Sequence, residues 1–143
     1  MKSSSRNSYI GKIASIITGG LNDEVELQLE SGEKIYGQLS HASAQRMGLA
    51  VDSEAMAMVK ATEILLVIEG DDYDVCCRNQ FTGKVLKLVR GFVNGEVVIQ
   101  TPSGLELNAT VSLDGLNRLR VERGATVTAM FKSSNVMIAV KKA

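Results

Sequence analysis

Tryptophan is absent from this chain, and proline and histidine occur once each. The two cysteines are adjacent, at Cys76 and Cys77, so no disulfide framework can be written and a reducing cytoplasm is the expected compartment. On an extended strand their side chains point to opposite faces, which defeats chelation by the pair. His41 has no second histidine and no cysteine at ligand spacing, which argues against a metal held directly by side chains. Three tyrosines and three phenylalanines are not interleaved with basic residues, so the stacking platforms of a single-strand nucleic-acid groove are missing. Sixteen basic residues balance sixteen acidic ones, which gives no general pull on nucleic acid or on a membrane surface. The longest apolar run, residues 64–68, is far too short to span a bilayer, and Met1–Arg6 leads into no apolar run of the signal-peptide kind. No phosphate-binding loop, dinucleotide glycine pattern, nucleophile with a partner base or paired carboxylates stand out, so an enzyme is not expected.

What is present is a duplication. Arg6-Asn7, Gly11, Gly19, Asn22 and Glu24-Val25 return as Arg78-Asn79, Gly83, Gly91, Asn94 and Glu96-Val97, at a constant offset of 72 residues. Residues 6–67 and 78–139 share 16 identities in 62 gap-free positions, concentrated in turns and polar positions where packing alone would not demand them. Two domains are therefore expected, 5–68 and 76–141, joined by an acidic, glycine-containing linker at 69–75. Units this small bury only part of their surface alone, so each is expected to be covered by its twin or by another chain.

Periodicity predicts the same elements in each copy. Ile10, Ile13, Ile16 and Ile17 read as a strand, with Gly11 allowing a bend or bulge. Val25, Leu27 and Leu29 alternate with Glu24, Glu26 and Gln28, the period of a half-buried strand, and residues 34–40 complete a hairpin after Ser31-Gly32. Asn22 and Asn94 read as turn residues. Residues 41–49 suit one or two helical turns capped by Ser40 and stopped by Gly48, and 113–121 correspond, weakened by Gly115. Residues 54–60 and 62–68 close the first copy as its fourth and fifth strands. The fold class expected is all-β: two tandem OB-type five-stranded barrels, each with a short helix between strands three and four.

The chemistry the residues suggest is anion binding. Arg6 and Arg78 precede equivalent strands, while Lys60 and Lys132 close equivalent strands beside Ala61-Thr62 and Ser133-Ser134. Ser40 and Ser112 end the third strands, with Ser43 just beyond Ser40. Guanidinium, ammonium, hydroxyl and backbone N–H donors converging on one spot would suit a compact oxyanion. A strand-end lysine or arginine serving only as a solvated surface group is the competing reading.

The repeated motifs also carry a resemblance. Ser4-Ser5-Arg6-Asn7, Gly11 and Gly19-Gly20-Leu21-Asn22-Asp23-Glu24-Val25 resemble the start of the molybdate-binding Mop domain, which reads Ser-Ala-Arg-Asn followed by Gly-Ala-Val-Asn-Ala-Glu-Val. Cys76-Cys77-Arg78-Asn79 and Gly91-Phe92-Val93-Asn94-Gly95-Glu96-Val97 resemble it again. Lys132-Ser133-Ser134-Asn135-Val136, and more loosely Lys60-Ala61-Thr62-Glu63-Ile64, resemble its closing Lys-Ala-Ser-Asn-Val. The chain is thus similar to the tandem, cytoplasmic members of the Mop/TOBE family, with no DNA-binding or nucleotide-binding domain expected. The resemblance implies non-enzymatic binding and storage of molybdate or tungstate at interfaces between domains of a homotrimer. It implies one half-site at Ser4, Arg6, Lys60 and the Ala61 backbone, a second at Cys76, Arg78, Lys132 and Ser133, and opposing halves at Ser40 with Ser43 and at Ser112. The alternative it leaves is an anion-responsive module acting on a separate protein. Cys76 stands where the family has serine, and Gly115 where the first copy has Ser43.

Overall fold

The computed structural model describes residues 1–69 and 72–142, so Gly70 and Asp71 of the expected linker lie outside the described residues. Ten strands and two short helices follow one another as β1 (Asn7–Gly19), β2 (Asn22–Leu29), β3 (Lys34–Ser40), α1 (His41–Arg46), β4 (Glu54–Val59), β5 (Leu65–Val67), β6 (Asn79–Arg90), β7 (Asn94–Gln100), β8 (Glu106–Ser112), α2 (Leu113–Leu119), β9 (Thr126–Phe131) and β10 (Met137–Ala139). Single 3-10 turns at Ala61–Glu63 and Ser133–Asn135 precede β5 and β10. Among these helices none is long and apolar enough to cross a membrane.

The strands form two five-stranded antiparallel sheets, ordered β10-β4-β1-β2-β3 and β5-β9-β6-β7-β8. The compact units are Met1–Val59 with Lys132–Ala143, and Lys60–Phe131. Two expectations need correction. Residues 62–68 do not complete the first copy: β5 pairs with β9, and β10 pairs with β4, so each sheet takes its short edge strand from the other copy. Nor do the sheets close into OB-type barrels. Closure would need a ladder between β3 and β10, but β10 has three residues and spends its pairing on β4. Where β3 approaches that segment, at Gly37, it meets the side chains of Ile138 and Val136 rather than backbone groups. Side-chain packing takes the place of the missing ladder.

The local reasons are those of alternation. In β2, Val25, Leu27 and Leu29 are buried, and in β4 Ala55, Ala57 and Val59 are buried with Met56 and Met58 on the opposite face. The unit built on β6–β9 buries Val97, Ile99, Leu107, Ala109, Val127 and Phe131 at matching places, and stacks Phe81 on Phe131 with ring centroids 5.8 Å apart. β1 is long because it serves two partners: Asn7–Lys12 pair with β4 and Gly11–Gly19 with β2. Its bulge falls between Ile13 and Ser15, and that of β6 between Val85 and Lys87, not at Gly11 or Gly83. Those glycines have another cause. A Cβ at Gly11 would collide with the Gln28 carbonyl oxygen, and one at Gly83 with that of Gln100. Asn22 and Asn94 begin strands, and the positive φ of the first hairpin falls on Gly20 at 54°.

Candidate functional site

β1 begins where Asn7 pairs with Val59, and β6 where Asn79 pairs with Phe131. Arg6 precedes and Lys60 follows the first of these pairs along the chain; Arg78 and Lys132 stand in the same relation to the second. All four cationic side chains are exposed. Lys60 and Lys132 are extended residues leading into the 3-10 turns. The first N–H groups of such turns have no carbonyl partner within the turn, so they are donors available to an outside oxygen.

The serines ahead of the arginines divide their work. Ser5 Oγ lies 3.0 Å from the Asn7 carbonyl oxygen and 3.3 Å from that of Val59, and it accepts from the Asn7 N–H at 3.2 Å. Cys77 repeats this with its Sγ 3.6 Å from the Asn79 carbonyl oxygen. Ser4 and Cys76, the expected anion donors, are exposed instead.

The opposing halves lie elsewhere. Ser40 pairs with Asn22, which pairs with Gly19 at the far end of β1. Ser40 Oγ caps α1, accepting from the Ser43 N–H at 3.1 Å and lying 2.8 Å from Ser43 Oγ. Ser112 Oγ caps α2 through the Gly115 N–H at 3.1 Å. A 13-residue strand spans up to about 40 Å. The start of β1 and the Ser40 cap are therefore at opposite ends of that strand, and the start of β6 and the Ser112 cap are at opposite ends of β6.

Two features carry polar chemistry that the sequence reading passed over. Asn7 and Asn79 are fully buried, so the repeated Arg-Asn pair is half structural: Tyr9 Oη donates to Asn7 Oδ1 at 2.8 Å. Their identity in both copies was the available signal. The second feature is Asp23, 3% exposed, whose carboxylate oxygens both lie 3.0 Å from His41 Nδ1. Among the described residues no group of three or more His, Cys, Asp or Glu is placed to hold a metal ion.

Comparison with known proteins settles the family. The TOBE domain matches residues 3–66 and again 77–138. The chain belongs to the TOBE-domain family. Of the relatives of this TOBE protein, the molybdenum transport protein ModE of Herbaspirillum seropedicae is 33% identical over 142 residues, covering 99% of this chain and 53% of that protein. The molybdenum-pterin-binding protein MopA of Rhodobacter capsulatus is 31% identical over 140 residues, covering 98% of this chain and 53% of that protein. The chain spans about half the length of these curated relatives. A crystal structure of the cytoplasmic molybdate-binding protein ModG with molybdate bound superposes with a TM-score of 0.94 at 33% identity, covering 99% of this chain and 100% of ModG.

Proposed function

We propose that this protein binds molybdate without chemical turnover, as a cytoplasmic store and buffer of the anion. The observation that carries this reading is the likeness, along the full length of both chains, to molybdate-bound ModG. The site geometry supports it. A tetrahedral dianion is held by many fixed donors, and this chain provides Ser4, Arg6, Lys60 and the Ala61 N–H as one set, and Cys76, Arg78, Lys132 and Ser133 as another. Ser40 with Ser43, and Ser112, supply facing sets from other copies of the chain. Because Arg6 and Ser40 stand at opposite ends of β1, and Arg78 and Ser112 at opposite ends of β6, the anion's shell is completed by another copy, and a homotrimer is the assembly proposed. Leu21, Val93 and Phe92, exposed at the hairpin tips, provide apolar surface for such contacts. Tungstate, of the same charge and shape, is expected to occupy the same sites.

Calorimetric titration with molybdate, tungstate and sulfate, alongside sedimentation, tests this reading. Arg6→Ala and Lys60→Ala should each weaken molybdate binding at least tenfold, the loss of roughly 1.5–3 kcal/mol from a charge-assisted hydrogen bond, while the oligomer persists. Unchanged affinity in both variants would remove these residues from the site. A second reading has one observation in its favour, the match to about half of ModE. On that reading the anion state is passed to further protein, and molybdate-dependent association with a defined partner would favour it over storage.

A further inference from the structure

The two repeats carry opposite charge on a surface they share. The pocket beside Asp23 and His41 is closed in the second repeat, where Leu116 Cδ1 would collide with any side chain at Gly95. Another hollow recurs in both. It lies where the long first strand of each repeat passes from one partner strand to the other, at Gly11-Lys12-Ile13 and at Gly83-Lys84-Val85. Its volume is about 630 Å³ in the first repeat and about 550 Å³ in the second.

Glu30, Asp52 and Glu54 line the first groove together with Lys12. At the matching positions the second repeat has Pro102, Gly124 and Thr126, keeps a lysine at Lys84, and has Arg123 in place of Val51. Three carboxylates beside one ammonium thus become two cations with no carboxylate on the wall. All six charged side chains are exposed, and none has an ion-pair or hydrogen-bond partner among the described residues. Both grooves also present apolar surface: Ile10 in the first, and Leu86 with Pro102 in the second, are exposed.

We propose that the basic groove of the second repeat is a docking surface for a second molecule of this chain, and that it meets the acidic groove of that molecule's first repeat. The pairing follows from sign. Two first repeats would set carboxylates against carboxylates, and two second repeats would set cations against cations. Unlike repeats bring complementary groups together. Such a contact is heterologous: each molecule offers one groove and meets the other kind on its neighbour, so the contacts end when a ring closes, as in the trimer proposed above. Exposed ion pairs add little affinity, so the charges choose which faces meet and the apolar residues supply the contact. Neither groove includes an anion donor named above, so the contact needs no molybdate.

The test is sedimentation of the intact protein without molybdate, so its result is independent of the functional reading. Self-association should weaken about tenfold or more between about 50 and about 500 mM salt. Two double variants reverse one groove each: Lys84→Glu with Arg123→Glu, and Glu30→Lys with Glu54→Lys. Asp52 is left in place because its φ is 72°. Each variant alone should associate about tenfold or more weakly than wild type, and mixing the two should restore association, because each then offers the charge the other lacks. Association indifferent to salt and to both reversals, as contact through the apolar hairpin tips alone would give, would overturn the proposal. So would two folded variants that do not recover on mixing. Poly-glutamate binding that depends on Lys84 and Arg123, in molecules that stay apart, would give the groove to an acidic partner and overturn it too. If a reversal does not fold, the salt series in wild type and the milder Lys84→Gln with Arg123→Gln still decide the question.

Discussion

The two units solve one fold with different interiors. The unit of β6–β9 is packed with large apolar groups, including the Phe81–Phe131 stack and Leu116 on the buried face of α2. The unit of β1–β4 has Tyr9 and Val59 at the positions of that stack, Ala44 in place of Leu116, and a buried carboxylate–imidazole contact. Backbone constraints were held in common while side-chain space was redistributed. Strand register, bulge position and helix caps match because backbone hydrogen bonds tolerate little displacement. The interior tolerates exchange when volume and polarity change together, as they do between Asp23 with Ala44 and Gly95 with Leu116.

The largest effects should come from the shared backbone contacts. Gly83→Ala and Gly11→Ala should each cost about 3 kcal/mol or more in denaturant unfolding. Gly83→Ala should be the worse of the two, since the three closest atoms to its new methyl are all backbone, whereas Gly11 has Leu27 Cγ among its three. The reverse order would break the account of these glycines. Next, Leu116→Ala should lose about 2–5 kcal/mol, and Ala44→Leu in the other unit should cost about 1–3 kcal/mol by overpacking against Asp23. A stabilising Ala44→Leu would mean that the pocket beside Asp23 is merely unfilled space. Ser40→Ala and Ser112→Ala should each cost about 1 kcal/mol, and nearly equally, because both hydroxyls cap a helix in the same way. A markedly larger loss at one serine would show that its helix carries more of its unit's stability.

The smallest effect concerns an ion pair found in one unit. Lys34 Nζ lies 2.6 Å from Glu26 Oε1, and the hydrogen bond and charge of Glu26 raise the Lys34 pKa above 10.5. A raised lysine pKa contributes stability that is fully present below the unfolded value and lost as pH rises through the folded one. Thermal melts of wild type and Lys34→Met should therefore differ slightly at neutral pH and converge only above about pH 10.5. Convergence already at neutral pH would assign the pair no role.

The candidate site was legible in part, for a physical reason. Arg6, Lys60 and their counterparts could be found because they repeat at a fixed offset, and the capping role of Ser40 because a helix start needs an acceptor. Asp23 and His41 could not be read as a pair, because 18 residues separate them and only the β2–β3 register and the turn into α1 bring them to 3.0 Å. The burial of Asn7 was hidden in the same way: an asparagine beside an arginine at a strand start carries no local mark of a buried position.

The sequence by itself determined the duplication, the succession of strands along each copy, the faces that alternation buries and the serines that cap the helices. These depend on residues near one another in the chain, where periodicity and local hydrogen bonding leave a signature. Tertiary structure alone decided that β5 and β10 pair with the other copy's sheet, that neither sheet closes, and that Arg6 and Ser40 stand at opposite ends of β1, as Arg78 and Ser112 do of β6. Three-residue edge strands carry too little pattern to name their partners, and the separation of the strand-start cations from the helix-capping serines follows from a ladder register that no local pattern encodes.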